Sequence, residues 1–187
     1  GCRFDMEISD YNSFDFIEIF NNSEPLREVN ERGLRWWEDL VLNGYSLSST
    51  SGMDLHRRAD MGNRYATFIE GEPGGDIERE LDTAVRNGKT WVSKGPILKE
   101  QLSEDKKEIT FSIITTKKSG FVHSDADVYF LTLRTKKASL IRQMPAKLPV
   151  TISCQEFEGE RIIIPKLYQN DTTIENLVAV APVIMID

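Results

Sequence analysis

Hydrophobic and polar positions divide the chain into two regimes. Phe14-Asp15-Phe16-Ile17-Glu18-Ile19-Phe20 alternates at its start and is rich in aromatic and β-branched residues, which predicts a strand buried on at least one face. Asn21, Asn22 and Ser23 end it and supply capping side chains. From Pro25 to Asn43 the period lengthens: Leu26, Val29, Leu34, Trp37, Leu40 and Val41 recur at helical spacing, Pro25 suits a first turn, and Asn43-Gly44 suits a left-handed stop. Tyr45–Ser51 predicts a second strand and Arg64–Ile69 a third. Asp76 caps a helix from Ile77 to Asn87 with Ile77, Leu81, Ala84 and Val85 inward, and Thr90–Ser93 predicts a further strand. Strand and helix thus alternate up to about residue 98, the pattern of a parallel α/β layer.

Beyond that point the helical period disappears. Glu108–Thr115, Asp127–Thr135, Leu148–Cys154, Glu160–Leu167 and Leu177–Ile186 are five β-like runs between polar turns, and their spacing suits a small antiparallel sheet or sandwich. Gln101–Lys107 is polar and charged. The expected organisation is two units, residues 1–98 and 99–187.

Composition narrows the function. A hydrophobic share of 40% over 187 residues suits a folded core, while no apolar run reaches the length of a membrane span. A net charge of −7 argues against general affinity for nucleic acid phosphates. No charged and then apolar leader opens the chain, so a cytoplasmic location is expected. Cys2 and Cys154, far apart, make neither a disulfide framework nor a zinc signature. The histidines number two, His56 and His123, which excludes a histidine-rich metal cluster within this chain.

The candidate chemistry lies in Ser48-Ser49-Thr50-Ser51-Gly52-Met53-Asp54-Leu55-His56. In an extended segment Asp54 and His56 project to the same side, so a carboxylate and an imidazole can converge on one cation; the other reading is a surface hydrogen-bonded pair. Both residues follow a predicted strand, where α/β folds gather ligands. Glu18 and Asn21 either contact substrate or cap the helix that follows them. Arg64, like Arg57 and Arg58, suits forked binding of a phosphate, and Lys94 belongs to a Lys94-Gly95-Pro96 turn that either lines a cleft or simply ends a strand.

In order and spacing, the Phe14–Asn21 strand, the helix ending Leu42-Asn43-Gly44, Gly52-Met53-Asp54-Leu55-His56 and Thr90-Trp91-Val92-Ser93-Lys94-Gly95-Pro96 resemble the polymerase-and-histidinol-phosphatase (PHP) family. The likeness is to its CehA/McbA-like metallohydrolase branch, and it covers residues 10 to 98. It implies the C-terminal part of a distorted (β/α)7 barrel followed by the antiparallel β unit. It also implies a metal-dependent hydrolase of small-molecule phosphoesters or related bonds, with Asp54 and His56 as ligands to zinc, manganese or iron. The family's His-x-His strand and mid-barrel histidines have no counterpart here, and Met53 stands where the family often has Ser or Thr. The resemblance therefore implies a metal site and a barrel completed by an N-terminal segment or by a second copy in a homo-oligomer. The alternative is a noncatalytic binding or structural module whose β-rich part recognises a carbohydrate or a protein.

Overall fold

The computed structural model describes residues 8, 10–21, 28–52, 64–116, 121 and 127–186. In order they form β1 (Phe16–Asn21), α1 (Glu28–Leu42), β2 (Ser48–Gly52), β3 (Ala66–Phe68), α2 (Ile77–Arg86), β4 (Trp91–Ser93), β5 (Ile97–Leu102) and β6 (Glu108–Ile114). The chain continues through β7 (Val128–Arg134), β8 (Ser139–Pro145), β9 (Val150–Ser153), β10 (Ile162–Gln169), β11 (Leu177–Val180) and β12 (Ile184–Met185). None of the described helices is long and apolar enough to cross a membrane.

The architecture corrects the expected α/β barrel. Among the described residues β1 and β2 are the single parallel pair, and every other pair is antiparallel. The strands form no closed barrel but a mainly antiparallel β structure. The large sheet runs β3-β4-β11-β10-β7-β8 with β12 beside β10, and a second sheet runs β5-β6-β9. Alternation of strand and helix suggested parallel pairing, yet β3 and β4 flank α2 and pair antiparallel, with Phe68 opposite Trp91. The partner of β4 on its other side is β11, from the far end of the chain. Hydrogen bonding therefore crosses residue 98.

Two apolar layers hold this arrangement. Leu98, Ile109 and Phe111 from the smaller sheet pack on Leu131, Leu133, Ile163 and Leu167 from the larger one. On the opposite face of the large sheet, Ile164, Tyr168, Leu177 and Val180 meet Leu34, Trp37 and Val41 of α1 together with Ile17, Ile19 and Phe20 of β1. β10 is buried from Ile163 to Tyr168 because it carries apolar contacts on both faces. Each such side chain contributes about 1.5–3 kcal/mol by leaving water.

Local expectations fared unevenly. Trp37 is buried and donates its indole N–H to Leu47 O at 2.9 Å. Its neighbour Trp36 is 39% exposed and meets Tyr11 edge to face. The Asp76 cap is present, its carboxylate accepting from Arg79 N at 3.3 Å. The inward face read for that helix is not: Ala84 is buried, whereas Ile77 and Leu81 are 64% and 44% exposed. β5 and β8 were not read as strands, because Lys99, Glu100, Arg142 and Gln143 break their apolar pattern.

Candidate functional site

The open end of the parallel pair is built by an irregularity in β1. Its register with β2 shifts between Glu18 and Phe20, so that Glu18 faces Thr50, Phe20 faces Ser51, and Asn21 faces Gly52. Ile19 and Phe20 are consecutive and both buried, which resets the alternation and leaves Glu18 and Asn21 exposed on either side of them. Ile19 lies under α1, whose Gly33 permits close approach: a Cβ there would stand 3.3 Å from Ile19 O.

The carboxylate of Glu18 lies over Gly52, the last residue of β2, with Oε2 2.1 Å from where a Cβ on that glycine would be. Among the described residues it makes no hydrogen bond and no ion pair. The backbone of Asn21 is clamped instead, its N–H donating to Asn30 Oδ1 and its C=O accepting from Asn30 Nδ2, each at 3.2 Å. The helix α1 thus grips the end of β1.

The Ser/Thr run before Gly52 has structural duties. Ser48 Oγ donates to Val85 O at 2.5 Å, anchoring α2, and Thr50 Oγ1 donates to Ile17 O at 3.4 Å. Thr90 Oγ1 donates to Ser49 O at 2.7 Å. Ser51 is tied to β3: its N–H donates to Thr67 Oγ1 at 2.9 Å and its C=O accepts from the same hydroxyl at 3.3 Å. Nothing in local sequence marks Thr67 or Asn30 for these roles, since both partners are distant backbone groups.

Arg64 and Lys94 form a second group, gathered around Tyr65. Tyr65 is buried, donates its hydroxyl to Leu177 O at 2.5 Å and stacks on Phe20 with ring centroids 4.2 Å apart. Lys94 Nζ lies 5.2 Å from the centre of the same ring, and Arg64 precedes Tyr65 in the chain. The Phe20–Tyr65 stack therefore connects the end of β1 to the cationic group beside β3 and β4. Gly95 has a packing reason of its own: a Cβ there would stand 2.8 Å from Phe121 Cβ. Its carbonyl accepts from Thr116 Oγ1 at 2.6 Å, so the Lys94-Gly95-Pro96 turn is shaped by these neighbours.

Asp54, His56 and His123, with Arg57 and Arg58, lie outside the described residues. Among the described residues no group of three or more His, Cys, Asp or Glu side chains converges as a metal site. The largest buried charge cluster is elsewhere and was not read from the sequence: Glu38 on α1 pairs with Lys166 on β10 and with Arg134 on β7. No protein-family model, no curated protein and no solved structure matches this chain.

Proposed function

We propose that the open end of β1 and β2 contributes to a divalent-cation site in a hydrolase acting on phosphoesters or related bonds, with Asp54 and His56 as ligands. The observation that carries this reading is the Glu18 carboxylate, lying without a competing partner over Gly52 at the end of the parallel pair. Asp54 follows Gly52 by two residues, and two residues of chain reach at most about 7 Å. A second carboxylate is thereby tethered near the first. The donor set fits the cation chemistry: carboxylate oxygens and an imidazole nitrogen suit zinc, manganese or iron.

Such a cation supplies hydroxide near neutral pH by lowering the pKa of a bound water. Glu18 contributes an oxygen donor or orients one, and Asn21 presents an exposed amide beside it. Arg64 and Lys94 provide positive charge for the oxygens of a phosphoryl group, a forked guanidinium and a point-like ammonium respectively. The likeness to the PHP family supports the same chemistry, independently of the barrel that the fold does not form.

Metal content decides the matter. After dialysis against zinc or manganese, elemental mass spectrometry should find bound metal in the wild-type chain and its loss in Asp54→Ala and His56→Ala. Hydrolysis of p-nitrophenyl phosphate should fall in the same variants. A wild-type chain without metal, or metal content unchanged in both variants, overturns the reading.

A further inference from the structure

We infer that Thr67 and Asn30 are positioning residues for this cation site, an inference that rests on the reading above. Each grips one backbone residue at two points. Thr67 Oγ1 accepts from Ser51 N at 2.9 Å and donates to Ser51 O at 3.3 Å. Asn30 treats Asn21 in the same manner, accepting from its N–H and donating to its C=O, both at 3.2 Å. The gripped residues belong to adjacent rungs of the parallel pair, where Phe20 faces Ser51 and Asn21 faces Gly52.

These contacts lie outside the regular ladders. β2 and β3 belong to different sheets, so the Thr67 hydroxyl supplies the connection a ladder would otherwise make at Ser51. Asn30 comes from α1, is 5% exposed, and reaches across to the last residue of β1. The two clamps fix the exits of both strands from opposite sides, with the Glu18 carboxylate and Gly52 between them. A two-stranded parallel pair is weak on its own, and an error of about 1 Å in a site's supporting shell is enough to spoil it. Thr67 and Asn30 hold the carboxylate and the departing chain at a set separation.

A purely architectural role would change stability alone. Manganese titration calorimetry and thermal melting on the same samples separate the two. Thr67→Val keeps the shape and removes both hydroxyl contacts, and Thr67→Ser restores them. Asn30→Asp keeps the acceptor for Asn21 N and removes the donor to Asn21 O. Thr110→Val is the control, deleting the 2.9 Å hydroxyl contact with Thr151 on the smaller sheet.

Thr67→Val should weaken manganese binding by about 10- to 100-fold, the usual consequence of losing an outer-shell support. Thr67→Ser should recover it, Asn30→Asp should weaken it, and Thr110→Val should bind as wild type. Wild-type affinity in Thr67→Val and Asn30→Asp overturns the inference alone. Failure of the wild-type chain to bind manganese or zinc overturns the reading on which it rests, and this inference with it.

Discussion

Glu18 and Gly52 share one small volume: a Cβ on residue 52 would meet Glu18 Oε2 at 2.1 Å and its Cδ at 2.7 Å. Gly52 is outside the left-handed region, so alanine is compatible with its backbone and restricts the unfolded chain. Gly52→Ala should therefore leave stability unchanged or raise it by up to about 1 kcal/mol. The same methyl must push the Glu18 carboxylate aside. Manganese affinity should fall while the melting temperature holds; an affinity equal to wild type would separate Glu18 from the site.

Glu38 and Lys166 form a buried ion pair, Nζ to Oε1 at 2.5 Å, with side chains 2% and 11% exposed. Arg134 also binds Glu38, and it has Asp39 as a second partner at 2.9 Å. Removing Glu38 leaves the Lys166 ammonium buried without a counter-charge. Glu38→Ala should cost about 3–5 kcal/mol in urea unfolding, whereas replacing Glu38 and Lys166 together by methionine should cost far less. Equal losses in both variants would contradict the pairing.

Glu100 on β5 titrates above the ordinary glutamate value, chiefly because burial disfavours its charge, and despite its backbone hydrogen bond and the Lys89 and Lys99 charges. Its Oε2 is buried without a partner among the described residues. Because the folded-state value is raised, the protonated form stabilises the fold at low pH. That contribution is lost as pH rises through the folded-state value. Glu100→Gln is neutral throughout, so its melting temperature relative to wild type should improve between about pH 4 and pH 7. A difference that stays flat with pH would refute this.

Gly95 and Phe121 interlock in the turn after β4, where a Cβ would come within 2.8 Å of Phe121 Cβ and 3.0 Å of Cγ. Gly95→Ala should destabilise by about 1–3 kcal/mol through overpacking. In a double-mutant cycle, combining it with Phe121→Ala should give less than the sum of the single losses. Strict additivity in chemical denaturation would rule the steric account out.

The candidate site was partly legible before the structure. Glu18 and Asn21 were recognisable at a strand end, and the strand of which they are part is present. Their joint exposure was not recognisable, because it depends on Ile19 and Phe20 being buried together where the register with β2 shifts. Nor did the hydroxyl run announce that Ser48 and Thr50 serve Val85 O and Ile17 O. Side chains that bond to distant backbone carry no local pattern, and Thr67 and Asn30 were overlooked for that reason. Glu38 was invisible too: an acidic residue on an amphipathic helix reads as solvent-facing until its partners on β7 and β10 are known.

What the sequence determined by itself is local: the apolar period of α1, the strand character of β1, β2, β7 and β10, and the Asp76 cap of α2. These follow from propensity and period, which act over a few residues. Tertiary structure decided the rest. The direction of β3 against β4, the insertion of β11 beside β4, and the absence of a barrel all depend on partners such as Leu177 O for Tyr65 and Val178 O for Ser93. A strand's period says which side is apolar and is indifferent to which neighbour, and in which direction, covers it.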